Sequence, residues 1–256
     1  MDLGIAGRRV LITGGSKGIG LACAESFAEA GCDIILVSRS AEKLAAAADA
    51  LRAKRQVNVM TFAADLSKPE ERERLHAAHP DPDILVNNAG AIPAGRLQDI
   101  AFARWQEAWS LKVLGYIHMC QLYMPGMEAK RAGVICNIIG MAGRAPRAGY
   151  ICGGTGNAAL IAFTSALGGA AQEAGVRVFG INPAATATDR MITQARVNAN
   201  LKFGDEERWA ETLTGLPYGR PIEAREIADL AAFLASPRGG YVNGTVVDVD
   251  GGGMFR

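Results

Sequence analysis

Eight consecutive residues, Thr13-Gly14-Gly15-Ser16-Lys17-Gly18-Ile19-Gly20, follow directly on the apolar run Val10-Leu11-Ile12 and carry the clearest chemistry in the chain. Glycines at a strand-to-helix turn let the backbone come close to a pyrophosphate, whose charge meets the free N–H groups and positive end of the helix that follows. Gly14, Gly18 and Gly20 supply that approach, and Ser16, Lys17 and Ile19 complete the candidate dinucleotide turn. Glycines also simply terminate strands, so it is the position after the first apolar run that gives the motif meaning. At the next such edge the chain reads Val37-Ser38-Arg39-Ser40, with no acid to bond a ribose 2′-hydroxyl and repel a 2′-phosphate. Arg39 can stack on adenine and pair with that phosphate, and Lys17 offers a second cation. NADP(H) is the expected cofactor; the alternative is that Arg39 starts a solvated helix and Lys17 is a loop charge.

Other chemistries find little support. Cys23, Cys32, Cys120, Cys136 and Cys152 are odd in number and form no CxxC pair, so a disulfide framework and a zinc site are not expected. They read as reduced, mostly buried thiols. His76 and His79 fall in a charged helical pattern and read as solvated, while His118 stands six residues after Lys112, off its helical face. No metal site is expected. A net charge of +1, with cations spread along the chain, gives no footprint for nucleic acid or an anionic membrane. The expected partner is a small-molecule substrate, neutral or anionic. Met1-Asp2-Leu3-Gly4 leads almost at once into the first apolar run without a signal-like pattern, which makes the cytoplasm the default location.

The elements that must position these residues follow from periodicity. Short, β-branched apolar runs at 9–13, 33–38, 57–63, 84–87, 133–139, 177–182 and 246–249 are bounded by Gly, Asn or Asp, as strands buried on both faces are. Helical patterns at 19–30, 41–54, 69–79, 102–128, 155–174 and 224–236 alternate with them. With 256 residues and 49% hydrophobic content, the pattern predicts one α/β domain over 1–256, a doubly wound, mostly parallel Rossmann-type sheet of about seven strands with helices on both faces. The polar, Met-containing stretch 184–219 follows the sixth strand at the carboxyl edge, where insertions cover the ligand crevice, and reads as a substrate lid.

With Asn87-Asn88-Ala89-Gly90 at the end of the fourth run, the glycine turn resembles the short-chain dehydrogenase/reductase family, over nearly the whole chain. The resemblance implies that Asp65, beside Leu66, meets the adenine edge, although Asp65 or Ser67 could instead cap the next helix. It implies that Asn88, Ala89 and Gly90 wall the adenosine pocket and brace the sheet. It also sets Pro183 in a turn where Ala184 replaces the family's Gly, and Thr188 against the nicotinamide amide or the pyrophosphate. Tyr218-Gly219-Arg220-Pro221, Asn243-Gly244-Thr245 and Asp250-Gly251-Gly252 complete the likeness.

In that family a Tyr hydroxyl protonates the substrate oxygen, a Lys one turn later lowers its pKa, a Ser orients the carbonyl and an Asn holds a relay water. Aligning Asn157-Ala158-Ala159 with the family's Lys-Ala-Ala pattern puts Asn157 at the Lys position, Gly153 at the Tyr and Gly140 at the Ser. Counting from Trp105 puts Lys112 at the Asn. The resemblance thus implies a degenerate tetrad in which an ammonium and an amide have exchanged helices. Tyr150, seven residues before Asn157, is similar in spacing to the Tyr of the enoyl-acyl-carrier reductase branch, so Tyr150, Lys112 and Asn157 are the candidate catalytic residues. The alternatives are a loop aromatic at 150 and a snorkelling interface lysine at 112. Two functions follow: an NADP(H)-dependent oxidoreductase acting on a small carbonyl or conjugated enone through an atypical proton-delivery site, or a catalytically inactive NADP(H)-binding sensor or partner subunit. The helices at 102–128 and 155–174, with Gly168-Gly169-Ala170-Ala171, imply a homodimer or homotetramer as in the family.

Overall fold

The computed structural model describes residues 2–255. Strands β1 (Arg9–Thr13), β2 (Asp33–Ser38), β3 (Val59–Ala63), β4 (Ile84–Asn87), β5 (Gly133–Ile138), β6 (Val176–Pro183) and β7 (Val246–Val249) form one parallel sheet in the order β3-β2-β1-β4-β5-β6-β7. Every connection between parallel neighbours must cross over a face, so helices cover both faces. Residues alternate accordingly: Val10, Ile12, Ile34 and Leu36 join the core beneath α1 (Gly18–Glu29), α2 (Ala41–Lys54) and α8 (Ala224–Ala235). Leu11, Ile35 and Val37 join the opposite core beneath α3 (Pro69–Ala78), α5 (Val113–Lys130) and α6 (Ile151–Ala171). All five cysteines are buried free thiols.

The helical pattern at 102–128 resolves into two helices, α4 (Phe102–Leu111) and α5, and the expectation of a single one is corrected. The cause lies outside that segment. Arg72 of α3 is buried and donates to Ser110 O at 3.0 Å and Leu66 O at 2.6 Å, taking a carbonyl from the helical ladder. His118 accepts from the same guanidinium at 2.9 Å. His76 and His79 are half-buried, stacked edge-on against Tyr123 and Phe62, which corrects their reading as solvated.

Helix α6 begins at Ile151, four residues before the pattern suggested, and packs on β6 and on the turn after β5. With its last 3₁₀ turn, Ile151–Ala174, it is long and apolar enough by composition to cross a bilayer. In this fold it lies in the helical layer over the sheet. The stretch 184–219 contains a helix, α7 (Asp189–Phe203), capped by Thr188 and ended by Gly204 at φ +71°. α7 packs on the following 3₁₀ segment Glu206–Leu213, where Arg196 pairs with Glu206 and Glu207.

At the end of α8 a side chain from the sheet does the capping. Arg177 of β6 donates to the carbonyls of Leu234 (2.8 Å), Ala235 (2.9 Å), Ser236 (3.1 Å), Gly239 (3.0 Å) and Val242 (3.4 Å). A cation at a helix C-terminus satisfies carbonyls that have no helical partner.

Candidate active site

The glycine turn is built as a cradle. Gly14 adopts φ +68°, and a Cβ on it would meet Asn88 Nδ2 at 2.9 Å; one on Gly20 would overlap Gly14 O. Neither position tolerates a side chain without moving backbone. No side chain caps α1 among the described residues, so the first-turn N–H groups stay available for an anion. These features fit a dinucleotide pyrophosphate. Asn88 braces the sheet: its Nδ2 donates to Thr13 O at 2.9 Å and Gly14 O at 3.3 Å. The Thr13 hydroxyl accepts from the backbone N–H groups of Asn88 and Ala89 at 2.9 and 3.0 Å. This ladder ties β1 to the Asn88-Ala89-Gly90 segment and fixes the turn.

Arg39 is exposed at the exit of β2, near enough to Asp65 to lower its carboxyl pKa. Burial pushes Asp65 upward, but hydrogen bonds from Ser67 and the Arg39 and Lys68 charges leave it below the usual carboxylate range. Asp65 Oδ1 accepts from Ser67 Oγ at 2.8 Å and Ser67 N at 3.2 Å, closing a local turn; the cap residue of α3 is Lys68, so neither Asp65 nor Ser67 caps that helix. Leu66 is buried beside Thr13 and Ala89. Ser38 Oγ, next to Arg39, is buried without a partner among the described residues. Lys17 lies elsewhere: its Nζ is 3.5 Å from Asp189 of α7, between two well-exposed side chains.

Lys112 and Asn157 converge on the turn leaving β5. Lys112 is buried, not snorkelling, and its Nζ donates to Ile139 O at 2.6 Å. Burial, with Arg190 adding a like charge, pushes its ammonium down to about 7. Asn157 Nδ2 donates to Gly140 O at 3.3 Å, while its Oδ1 is buried without a partner. Gly140 adopts φ +138° and would bring a Cβ to 2.9 Å from Asn157 Nδ2. Its N–H donates to Asn182 Oδ1 at 3.2 Å, and Asn182 in turn reaches Asp248 at 2.7 Å. Pro183 ends β6 beside this turn.

Tyr150 opens α6, half-buried against Ile92, Ile100, Trp105, Trp109 and Cys152. Its ring occupies the space that a side chain at Gly153 would enter: a Cβ there would overlap Tyr150 Cε1 and Cζ. Tyr150 thus stands outside the helix proper with its ring packed in an apolar cluster, a position compatible with both the catalytic and the loop-aromatic readings.

One residue of this site was missed by sequence reasoning. Arg190 of α7 donates to Gly90 O at 2.6 Å, Ile92 O at 3.1 Å and the Tyr150 hydroxyl at 3.2 Å. Two residues earlier Thr188 caps α7, accepting from Met191 N at 3.3 Å, and its methyl faces Gly18. Thr188 followed by Asp189, with Gly204 at the far end, was a readable helix signature; nothing near Arg190 in sequence points to partners 40 to 100 residues away.

Comparison with known proteins places these features in a family. The short chain dehydrogenase family matches residues 8–198. The 3-oxoacyl-(acyl-carrier-protein) reductase FabG of Vibrio cholerae is 32% identical over 254 residues, 98% of each chain. The crystal structure of L-sorbose reductase from Gluconobacter frateurii, complexed with NADPH and L-sorbose, superposes with a TM-score of 0.88 at 33% identity over 98% of each chain. NAD⁺-bound xylitol dehydrogenase superposes at 0.89 with 25% identity, covering 97% of this chain and 99% of its own. This chain belongs to the short-chain dehydrogenase/reductase family.

Proposed function

We propose that the chain is an NADP(H)-dependent oxidoreductase of the short-chain dehydrogenase/reductase type that acts on a small carbonyl or conjugated enone through a rebuilt proton-delivery site. The relatives support the chemistry: a 3-oxoacyl reductase and a sugar reductase carrying NADPH share nearly its full length. Arg39 and the absence of an acid at the β2 exit favour the phosphorylated dinucleotide. Gly14, Ser16, Lys17, Gly18, Ile19 and Gly20 would hold the pyrophosphate, with Asp65, Leu66, Ala89 and Gly90 around the adenosine and Pro183 and Thr188 near the nicotinamide. The bound dinucleotide supplies or accepts the hydride.

The observation that carries the proposal is the Tyr150 ring in the side-chain space of Gly153, where the family resemblance aligns the proton donor. In reduction, the Tyr150 O–H bond breaks as its proton passes to the substrate oxygen, and the phenolate regains a proton from solvent. For an enone, the same hydroxyl bonds the conjugated carbonyl and stabilises the enolate. Lys112, as a buried amine, and Asn157 hold the β5 exit turn that floors the crevice. The segment 184–219 would serve as its lid, and the small-residue face of α6 would support a homodimer or homotetramer.

The test combines a structure with NADPH bound and a screen of ketones and conjugated enones, read by loss of reduced-nicotinamide absorbance. Turnover is expected, with Tyr150→Phe and Lys112→Met reducing it by roughly 10²-fold or more and about tenfold respectively while NADPH binding persists. The unpartnered Asn157 Oδ1 and the glycine backbone at 140 favour a second reading, a binding-only sensor or partner subunit; absence of turnover across the screen with NADPH still bound would select it.

A further inference from the structure

We propose that Arg190 is the positioning residue for Tyr150, fixing where its hydroxyl hydrogen points and coupling that direction to the seating of α7; this rests on the reading of Tyr150 as the proton donor. A guanidinium has only donors, so in the 3.2 Å contact with Arg190 Nη2 the phenolic oxygen is the acceptor. Its single hydrogen must then point away from Arg190. The guanidinium is itself fixed by two carbonyls of the segment after β4, Gly90 O and Ile92 O, so the direction is set by backbone rather than by a flexible stem.

The charge is in the right place as well. A charged donor holds its acceptor more tightly than a neutral one does. From Ile151 to Ala171, α6 carries no Lys or Arg, and Lys112 is engaged by Ile139 O. Nearby, burial pushes the Cys152 thiol up, and Arg104 of α4 donates to Ala91 O at 3.4 Å. Arg190 is the cation in hydrogen-bond contact with the hydroxyl. It also follows directly on Thr188 and Asp189, which face Gly18 and Lys17 of the dinucleotide turn. One short stretch of α7 therefore touches the nucleotide turn and the proton donor together.

Two measurements test this on the full chain. In a crystal structure of Arg190→Gln the Tyr150 hydroxyl is expected to lose its fixed position and the start of α7 to part from the segment after β4. In turnover, Arg190→Gln is expected to lose roughly 10- to 100-fold in kcat with NADPH affinity nearly unchanged, Arg190→Lys to recover part of it, and Arg190→Gln to cost nothing further in a Tyr150→Phe background. A phenol that keeps its place in that structure, or a loss that simply adds to that of Tyr150→Phe, overturns the inference. A chain that turns over no ketone or enone sinks the oxidoreductase reading instead, and the structure of Arg190→Gln still decides whether Arg190 governs Tyr150.

Discussion

Lys112, at the junction of α4 and α5, and Asn157 of α6 donate to consecutive carbonyls, Ile139 O at 2.6 Å and Gly140 O at 3.3 Å. The exit of β5 is therefore held by an amine from one side and an amide from the other. A neutral amine still has N–H groups to donate, more weakly than an ammonium does, so this grip does not require Lys112 to be charged.

That independence has a pH signature. Burial lowers the Lys112 pKa from 10.5 to about 7 in the folded chain, so between those values the unfolded chain binds the extra proton. Stability contributed by this group then rises with pH across the window, by roughly 1.4 kcal/mol per unit, and the cost of the buried charge is present in full below it. Denaturant melts of wild type and Lys112→Met are expected to show the variant favoured most below pH 7, with the gap closing toward alkaline pH. A gap that is constant with pH would contradict the low pKa.

At position 153 any side chain competes with the Tyr150 ring. Gly153→Ala is expected to swing the phenol out of its cluster, cost roughly 1–3 kcal/mol in stability, and reduce turnover as far as Tyr150→Phe does. A crystal structure of the variant with the ring unmoved would refute this.

Serine at 140, the residue that the family resemblance aligns there, does not fit the turn as it stands. Gly140 has φ +138° and ψ +146°, a region open essentially to glycine alone, with Asn157 Nδ2 against the would-be Cβ. Gly140→Ser is expected to lower stability by about 1–3 kcal/mol and to gain no activity. Pairing it with Asn157→Ala should recover only the steric part, as measured by thermal melts.

For the cofactor, Arg39 and Lys17 separate by their surroundings. Arg39 is exposed at the β2 exit, whereas Lys17 is paired with Asp189. Arg39→Asp is expected to weaken NADPH by roughly 10- to 100-fold and leave NADH nearly unchanged, with a smaller effect for Lys17→Ala. Fluorescence titration of both reduced dinucleotides measures the difference; equal losses for the two would remove the 2′-phosphate assignment.

The central strands were legible because they are buried on both faces: Val10-Leu11-Ile12 and Ile34 to Val37 leave no polar period to mislead, and their bounds match the expected ones. The glycine turn was legible for a similar reason, since Gly14 and Gly20 answer to local backbone demands. What escaped was set by partners distant in the chain. Arg72 breaks α4 from α5 by bonding Ser110 from 38 residues away. Arg190 reaches Gly90 from 100 residues away and Tyr150 from 40. No window on periodicity spans such distances.

The fan of carbonyls around Arg177 also orders events in time. Its acceptors run from Leu234 to Val242, so β6 emerges from synthesis with a buried-to-be cation whose partners do not yet exist. Burial alone lowers the Arg177 pKa, and an unpaired charge there is costly. A nascent or truncated chain ending before Leu234 must keep that end of β6 hydrated. The segment from Leu234 to Val242 thus closes over the amino-terminal end of β6 like a clasp, and that end of the sheet is sealed only once the segment has been made.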